Sequence, residues 1–139
     1  MSSIYPIFVY GSLRSDFPGE AHRYISQYFT FLSTAKAKGM LFDLGNYPAA
    51  IPTQENNFIV GELYKIKNEA EFNVGMAQLD DYEGLLVEAD ETPLYRRELT
   101  LVFLEGSFTK AWIYWYNETI ENTTCIVSGD ILEHLKQLN

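Results

Sequence analysis

The chain has 139 residues, enough for one substantial hydrophobic core and too few for two ordinary domains, so residues 1–139 are expected to form a single domain. Hydrophobic residues make up 47% and aromatics 15%, which excludes a disordered chain. The formal net charge of −9, with 19 acidic against 10 basic residues, repels phosphate backbones and speaks against nucleic acid as a partner; a small anion held by backbone dipoles stays open.

Cys125 is the only cysteine, so an intrachain disulfide is ruled out, as suits a reducing compartment. Met1 to Pro6 lacks the basic and apolar pattern of a leader, and no run approaches the roughly 18 apolar residues of a membrane span. The expectation is a cytoplasmic protein with no membrane partner. Composition leaves the oligomeric state open.

Taken in order, Ile7-Phe8-Val9-Tyr10 reads as a buried strand that stops at Gly11, a residue that permits positive φ and close approach to a ligand. Successive N–H groups at such a turn can cradle an anion. Asp16-Phe17-Pro18-Gly19 is a turn, and Ala21, Tyr24, Ile25 and Tyr28 have the spacing of a short amphipathic helix over Glu20 to Tyr28. Thr34 to Asp43 is a strand interrupted by Gly39; Leu44 to Pro48 is a turn with Tyr47 held extended by the proline after it. Phe58 to Ile66 is a strand with Gly61 near its centre, and two glycine-bearing strands suggest a tightly curved sheet closing into a small barrel.

A helix starts at Asn68, with Glu71 completing a box-like cap, and stops at Gly84. Phe72, Met76 and Leu79 share its inner face, and Glu83 falls about 40° from Leu79 on that face, while Asp80 and Asp81 are expected in solvent. Arg96 to Phe103 and Lys110 to Tyr116 form a hairpin around Glu105-Gly106-Ser107, with Tyr95, Arg97 and Leu99 on one face. Asn117 to Thr124 is a polar loop. A last helix starts at Asp130, carrying Ile131, Leu132, Leu135 and Leu138.

Chemistry points first to Glu83. A carboxyl on the apolar side of a helix, at its carboxyl end, meets desolvation and the negative helix pole together, and both raise its pKa toward the range of a general acid/base. The competing outcome is that Glu83 reaches solvent or pairs with Arg96 or Arg97. Ser12 is not in a G-x-S-x-G setting, no phosphate-binding G-x-x-x-x-G-K-[ST] is present, and His22 and His134 lie far apart, so neither a serine nucleophile, a P-loop nor a metal site is expected. Cys125 has no evident activating partner, and Trp112, Tyr114 and Trp115 read as core and cleft walls.

These segments carry a resemblance. Phe8-Val9-Tyr10-Gly11-Ser12-Leu13, Gly39 with Tyr47-Pro48-Ala49, Val60-Gly61-Glu62-Leu63-Tyr64, Leu79-Asp80-Asp81-Tyr82-Glu83-Gly84, Tyr95-Arg96-Arg97, Ala111-Trp112-Ile113-Tyr114 and Ser128-Gly129-Asp130 resemble the successive motifs of the γ-glutamylcyclotransferase-like family, which includes AIG2-like and γ-glutamylamine cyclotransferase proteins. The resemblance implies an α+β fold, a small mixed closed β-barrel with flanking α-helices, in which Tyr10, Gly11, Ser12 and Leu13 bind the α-carboxylate of a γ-glutamyl group. It further implies Glu83 as the catalytic residue, Tyr116 at the pocket, and Tyr95, Arg97 and Tyr47 in support. The implied reaction closes a γ-glutamyl amine, amino acid or peptide to 5-oxoproline and free amine, without cofactor or metal. A binding module that holds a small carboxylate without turnover is the alternative. Ile131 stands where the family often has tryptophan, and Arg14 to Glu20 also differs.

Overall fold

The computed structural model describes residues 4–17, 19–45, 47–85 and 87–137; expectations touching Met1 to Ser3, Pro18, Asn46 and Leu138 lie outside the described residues. The elements are β1 (Ile7–Val9), α1 (His22–Ser26), β2 (Phe29–Asp43), β3 (Pro48–Pro52), β4 (Phe58–Ile66), α2 (Phe72–Tyr82, entered through a 3-10 turn at Glu69–Glu71), β5 (Tyr95–Leu104), β6 (Ser107–Tyr116), β7 (Thr124–Ile126) and α3 (Ile131–Gln137).

Five strands close on themselves in the order β2, β4, β1, β6, β5, and back to β2 through Lys36↔Phe103 and Ala37↔Val102. The β1–β6 pairing is parallel and the others are antiparallel, so the barrel is mixed, as expected. Closure at this size needs strands to pass closely. A Cβ at Gly61 would collide with the Val9 carbonyl and the Phe8 ring, so the glycine allows β4 to lie against β1.

Alternation along the strands divides the apolar residues between two cores. Phe8, Ile59, Leu63, Val102, Ile113 and Trp115 fill the barrel with Ile131 of α3, whereas Ile7, Val9, Tyr64, Tyr95 and Tyr114 pack outside it with Ile25 of α1 and with α2. The inner face of α2 is Phe72, Gly75, Met76 and Leu79, matching the helical spacing.

Several boundaries differ from the sequence expectation, including the start of α2, which begins at Phe72 rather than Asn68. The first helix has only five residues, and β2 begins at Phe29 rather than Thr34, because its first residues pair with the end of β4 (Phe29↔Ile66). The second half of β2 leaves the barrel and gathers two short strands. β3 covers the proline segment read as part of a turn, and β7 covers residues read as the end of a loop or left unassigned. Prolines suit β3 because it is an edge strand. The hairpin turn of β5 and β6 is Glu105-Gly106, shorter than expected by one residue.

Candidate active site

The carboxyl end of α2 is built by a complete Schellman motif. Leu85 N–H donates to the Asp80 carbonyl at 2.9 Å and Gly84 N–H to the Asp81 carbonyl at 3.1 Å, with Gly84 at φ +80°. This termination holds Glu83 as the residue that caps the helix after Tyr82, directed into a small cavity lined by Phe8, Val9, Tyr10, Gly11, Ser12, Leu13, Tyr47, Pro48, Glu83, Tyr95 and Tyr114. At about 40 Å³ it has room for a carboxylate-sized group or a few waters. A groove of about 890 Å³ elsewhere, along Ile4 to Pro6 and the ends of β4 and β6, is open, and among its described lining residues the carboxyl, Glu69, is exposed.

Glu83 as a residue keeps some accessible surface, yet its carboxyl is densely surrounded. Burial first, and the neighbouring Asp80 charge second, push its pKa up from 4.5 to about 7. Neither arginine pairs with it. Arg96 reaches Glu98 and Asn117, and Arg97 takes Asp80 through two bonds of 2.7 and 3.0 Å.

Three of the cavity tyrosines have their hydroxyl protons committed elsewhere. Tyr10 donates to the Tyr114 carbonyl (2.5 Å), Tyr95 to the Pro48 carbonyl (2.8 Å) and Tyr114 to Asp80 Oδ1 (2.7 Å). Burial, with the Glu83 charge adding to it, raises the pKa of all three, so the walls stay neutral. Among the described residues, Glu83 is the cavity-lining group whose protonation changes near neutral pH.

Opposite Glu83 the chain turns at Gly11–Arg14, closed by Arg14 N–H to the Gly11 carbonyl at 3.0 Å. The N–H groups of Gly11, Ser12 and Leu13 have no acceptor among the described residues. Gly11 does not adopt positive φ; its need is space, since a Cβ there would sit 3.0 Å from the Pro48 ring. Ser12 Oγ and Tyr82 Oη lie 2.6 Å apart, so the loop is bonded to the residue preceding Glu83.

Residues 7–133 match the family model described as gamma-glutamyl cyclotransferase, AIG2-like. The chain belongs to this family. Its similarity extends to the gamma-glutamylcyclotransferase family protein ytfP of Citrobacter rodentium, 32% identical over 91% of this chain and 95% of that one, and to YtfP of Escherichia coli K12, 31% identical over 94% and 98%. The solution structure of ytfP from Escherichia coli superposes with a TM-score of 0.61 at 29% identity, over 93% of this chain and 97% of that one.

Within this γ-glutamylcyclotransferase-like fold, Tyr10, Gly11, Ser12, Leu13, Tyr47, Tyr95 and Glu83 come together around one cavity. Tyr116 stands one ring back, 5.5 Å from Tyr95, and is not among the lining residues. Arg97 lies behind the cavity, bonded to Asp80 and stacked 4.7 Å over Trp112. Asp80 is therefore not spent on solvent: β5 and β6 supply partners for it that helical spacing alone cannot show. Asp81 is exposed, as expected.

Several polar residues at the site escaped the sequence reading because their partners are remote in the chain. Arg14 is 5% exposed and bonds Asp16, Asp130 and the Val60 carbonyl. Asp130 also accepts from Leu132 and Glu133 N–H, so one carboxylate caps α3 and anchors the loop. His22 Nδ1 meets the Leu13 carbonyl at 2.9 Å, which requires the Nδ1 proton, since a carbonyl only accepts. Among the described residues no group of His, Cys, Asp or Glu has the arrangement of a metal site.

Proposed function

We propose that the protein converts a γ-glutamyl amine, amino acid or peptide to 5-oxoproline and the free amine. The observation that carries this reading is a carboxyl with a pKa near 7 facing a turn whose N–H groups at Gly11, Ser12 and Leu13 have no acceptor among the described residues. Those N–H groups receive the α-carboxylate. Held there, the α-amine lies near its own γ-carbonyl, and orientation supplies much of the acceleration.

Glu83, ionised, takes a proton from the α-ammonium. The amine lone pair attacks the γ-carbonyl carbon, a C–N bond closes the five-membered lactam, and the bond to the leaving amine breaks as Glu83 returns the proton to that nitrogen; the lactam nitrogen gives its remaining extra proton to the freed amine, which departs as an ammonium. No electron transfer is involved, and no cofactor enters the bond changes. Tyr47, 39% exposed, forms the rim past which the leaving amine extends. Tyr95 and Tyr10 shape the walls, Tyr116 backs Tyr95, and Arg97 acts through Asp80.

Incubation with a panel of γ-glutamyl compounds, with 5-oxoproline as the measured product, tests the proposal. Wild type is expected to release it and Glu83→Gln to lose that release. Equal rates for the two proteins, or no release from any compound, would sink the mechanism; binding without turnover would favour a small-carboxylate binding module instead.

A further inference from the structure

Beneath the loop lies a second carboxylate that the mechanism does not use. Glu62 is 4% exposed, on the face of β4 opposite Leu63. Its Oε1 accepts from Ser15 N–H at 2.7 Å and Tyr64 O–H at 2.8 Å, and its Oε2 accepts from Ser15 O–H at 2.7 Å. All three donors are neutral. The adjacent cation, Arg14, is taken by Asp16 and Asp130.

Among the described residues no ion pair reaches Glu62, and a buried carboxylate without an ion-pair partner is a poor choice for a barrel wall on stability grounds. What distinguishes Glu62 is its position relative to the loop. Its backbone is in register with Val9, the last residue of the strand that enters the loop, while its side chain grips Ser15, where the loop leaves. One residue thus spans the loop and ties its entry to its exit. Tyr64, held by Glu62, packs beside His22, which in turn bonds the Leu13 carbonyl.

We propose that Glu62 is a positioning residue, whose grip on Ser15 sets the direction of the Gly11, Ser12 and Leu13 N–H groups toward the substrate carboxylate. The inference rests on the cyclotransferase reading given above. It has a definite direction. Acting only through its charge, Glu62 would oppose a bound carboxylate and its removal would tighten binding; acting by position, its removal weakens binding.

The test uses steady-state turnover of a γ-glutamyl substrate beside calorimetric binding of 5-oxoproline. Glu62→Leu keeps the size and removes the acceptors; KM and the dissociation constant are expected to rise by about tenfold, with kcat changed by less than about threefold. Glu62→Gln, which retains one carbonyl acceptor, is expected to restore most of the loss. If Glu62→Leu does not fold, Ser15→Ala takes its place, with an expected rise of about threefold to tenfold in KM. Unchanged or tighter binding in the folded variants, with only a lower Tm, overturns the proposal. A wild type that binds 5-oxoproline without turning substrate over defeats the catalytic reading alone, and the ratio of dissociation constants still decides the role of Glu62. A wild type that binds no carboxylate overturns both.

Discussion

At the scale of single residues, the chemistry proposed for the site would be divided between a side chain that moves a proton and backbone groups that hold an anion. Replacing Glu83 with Gln keeps the volume and removes the proton transfer, a loss of about 10²–10⁴ in kcat. Ser12→Ala removes only the bond to Tyr82 and leaves the backbone N–H in place, so its expected loss is within about tenfold. Parallel kcat measurements on the two variants check the contrast.

The raised pKa of Glu83 also makes a stability prediction. An acid whose folded value, about 7, exceeds its ordinary 4.5 favours folding at low pH, where the neutral form is buried without penalty, and loses that advantage as pH rises through 7. The cost of ionising it in the fold reaches up to about 3 kcal/mol above pH 7. Glu83→Gln is therefore expected to raise Tm at about pH 8 and to change it little near pH 5, while wild-type activity climbs through pH 7 as the base ionises. A pH series of thermal melts on both proteins reads this directly.

At the scale of elements, α2 was legible because a 3.6-residue period and a glycine stop are local signals. Phe72, Met76 and Leu79 are buried where the spacing puts them; Asn68 accepts from Ala70 N–H at the 3-10 turn that leads into the helix, but among the described residues no Glu71 side-chain bond completes the expected box. Gly84→Ala isolates the backbone part of this design. Nothing lies within 4 Å of a Cβ there, so the cost of holding alanine at φ +80° is conformational, about 1–2 kcal/mol. The expected result is a lower Tm together with a lower kcat, because the motif that terminates the helix also aims Glu83. The short strands β3 and β7 were not legible in the same way: five residues bounded by prolines and three at the end of a polar loop have no period of their own, and only the length of β2 creates the edges they occupy.

For the whole molecule, charge bears on how substrate arrives. With a net charge of −9, a γ-glutamyl amino acid or peptide, carrying two carboxylates against one ammonium, would approach against the field, whereas a zwitterionic γ-glutamyl amine would not. Raising ionic strength to physiological levels, where the screening length is about 8 Å, is expected to increase kcat/KM modestly, by less than about threefold. A fall with salt would indicate a local attraction that outweighs the net charge.

By itself the sequence determined the strand-forming character of β1, the curved glycine-bearing strands, the course of α2 and the apolar-side placement of Glu83, each set by residues close together in the chain. Its motifs, in order, were enough to point to the family. Tertiary structure decided what faces what. Closure of the barrel brought Glu83 to the Gly11–Leu13 turn some seventy residues away, directed Asp80 to Arg97 and Tyr114 instead of water, and seated Arg14 and Glu62 under the loop. The physical reason is that a buried polar group is defined by its partners. Here those partners come from β4, β5, β6 and the start of α3, and no local pattern records the meeting.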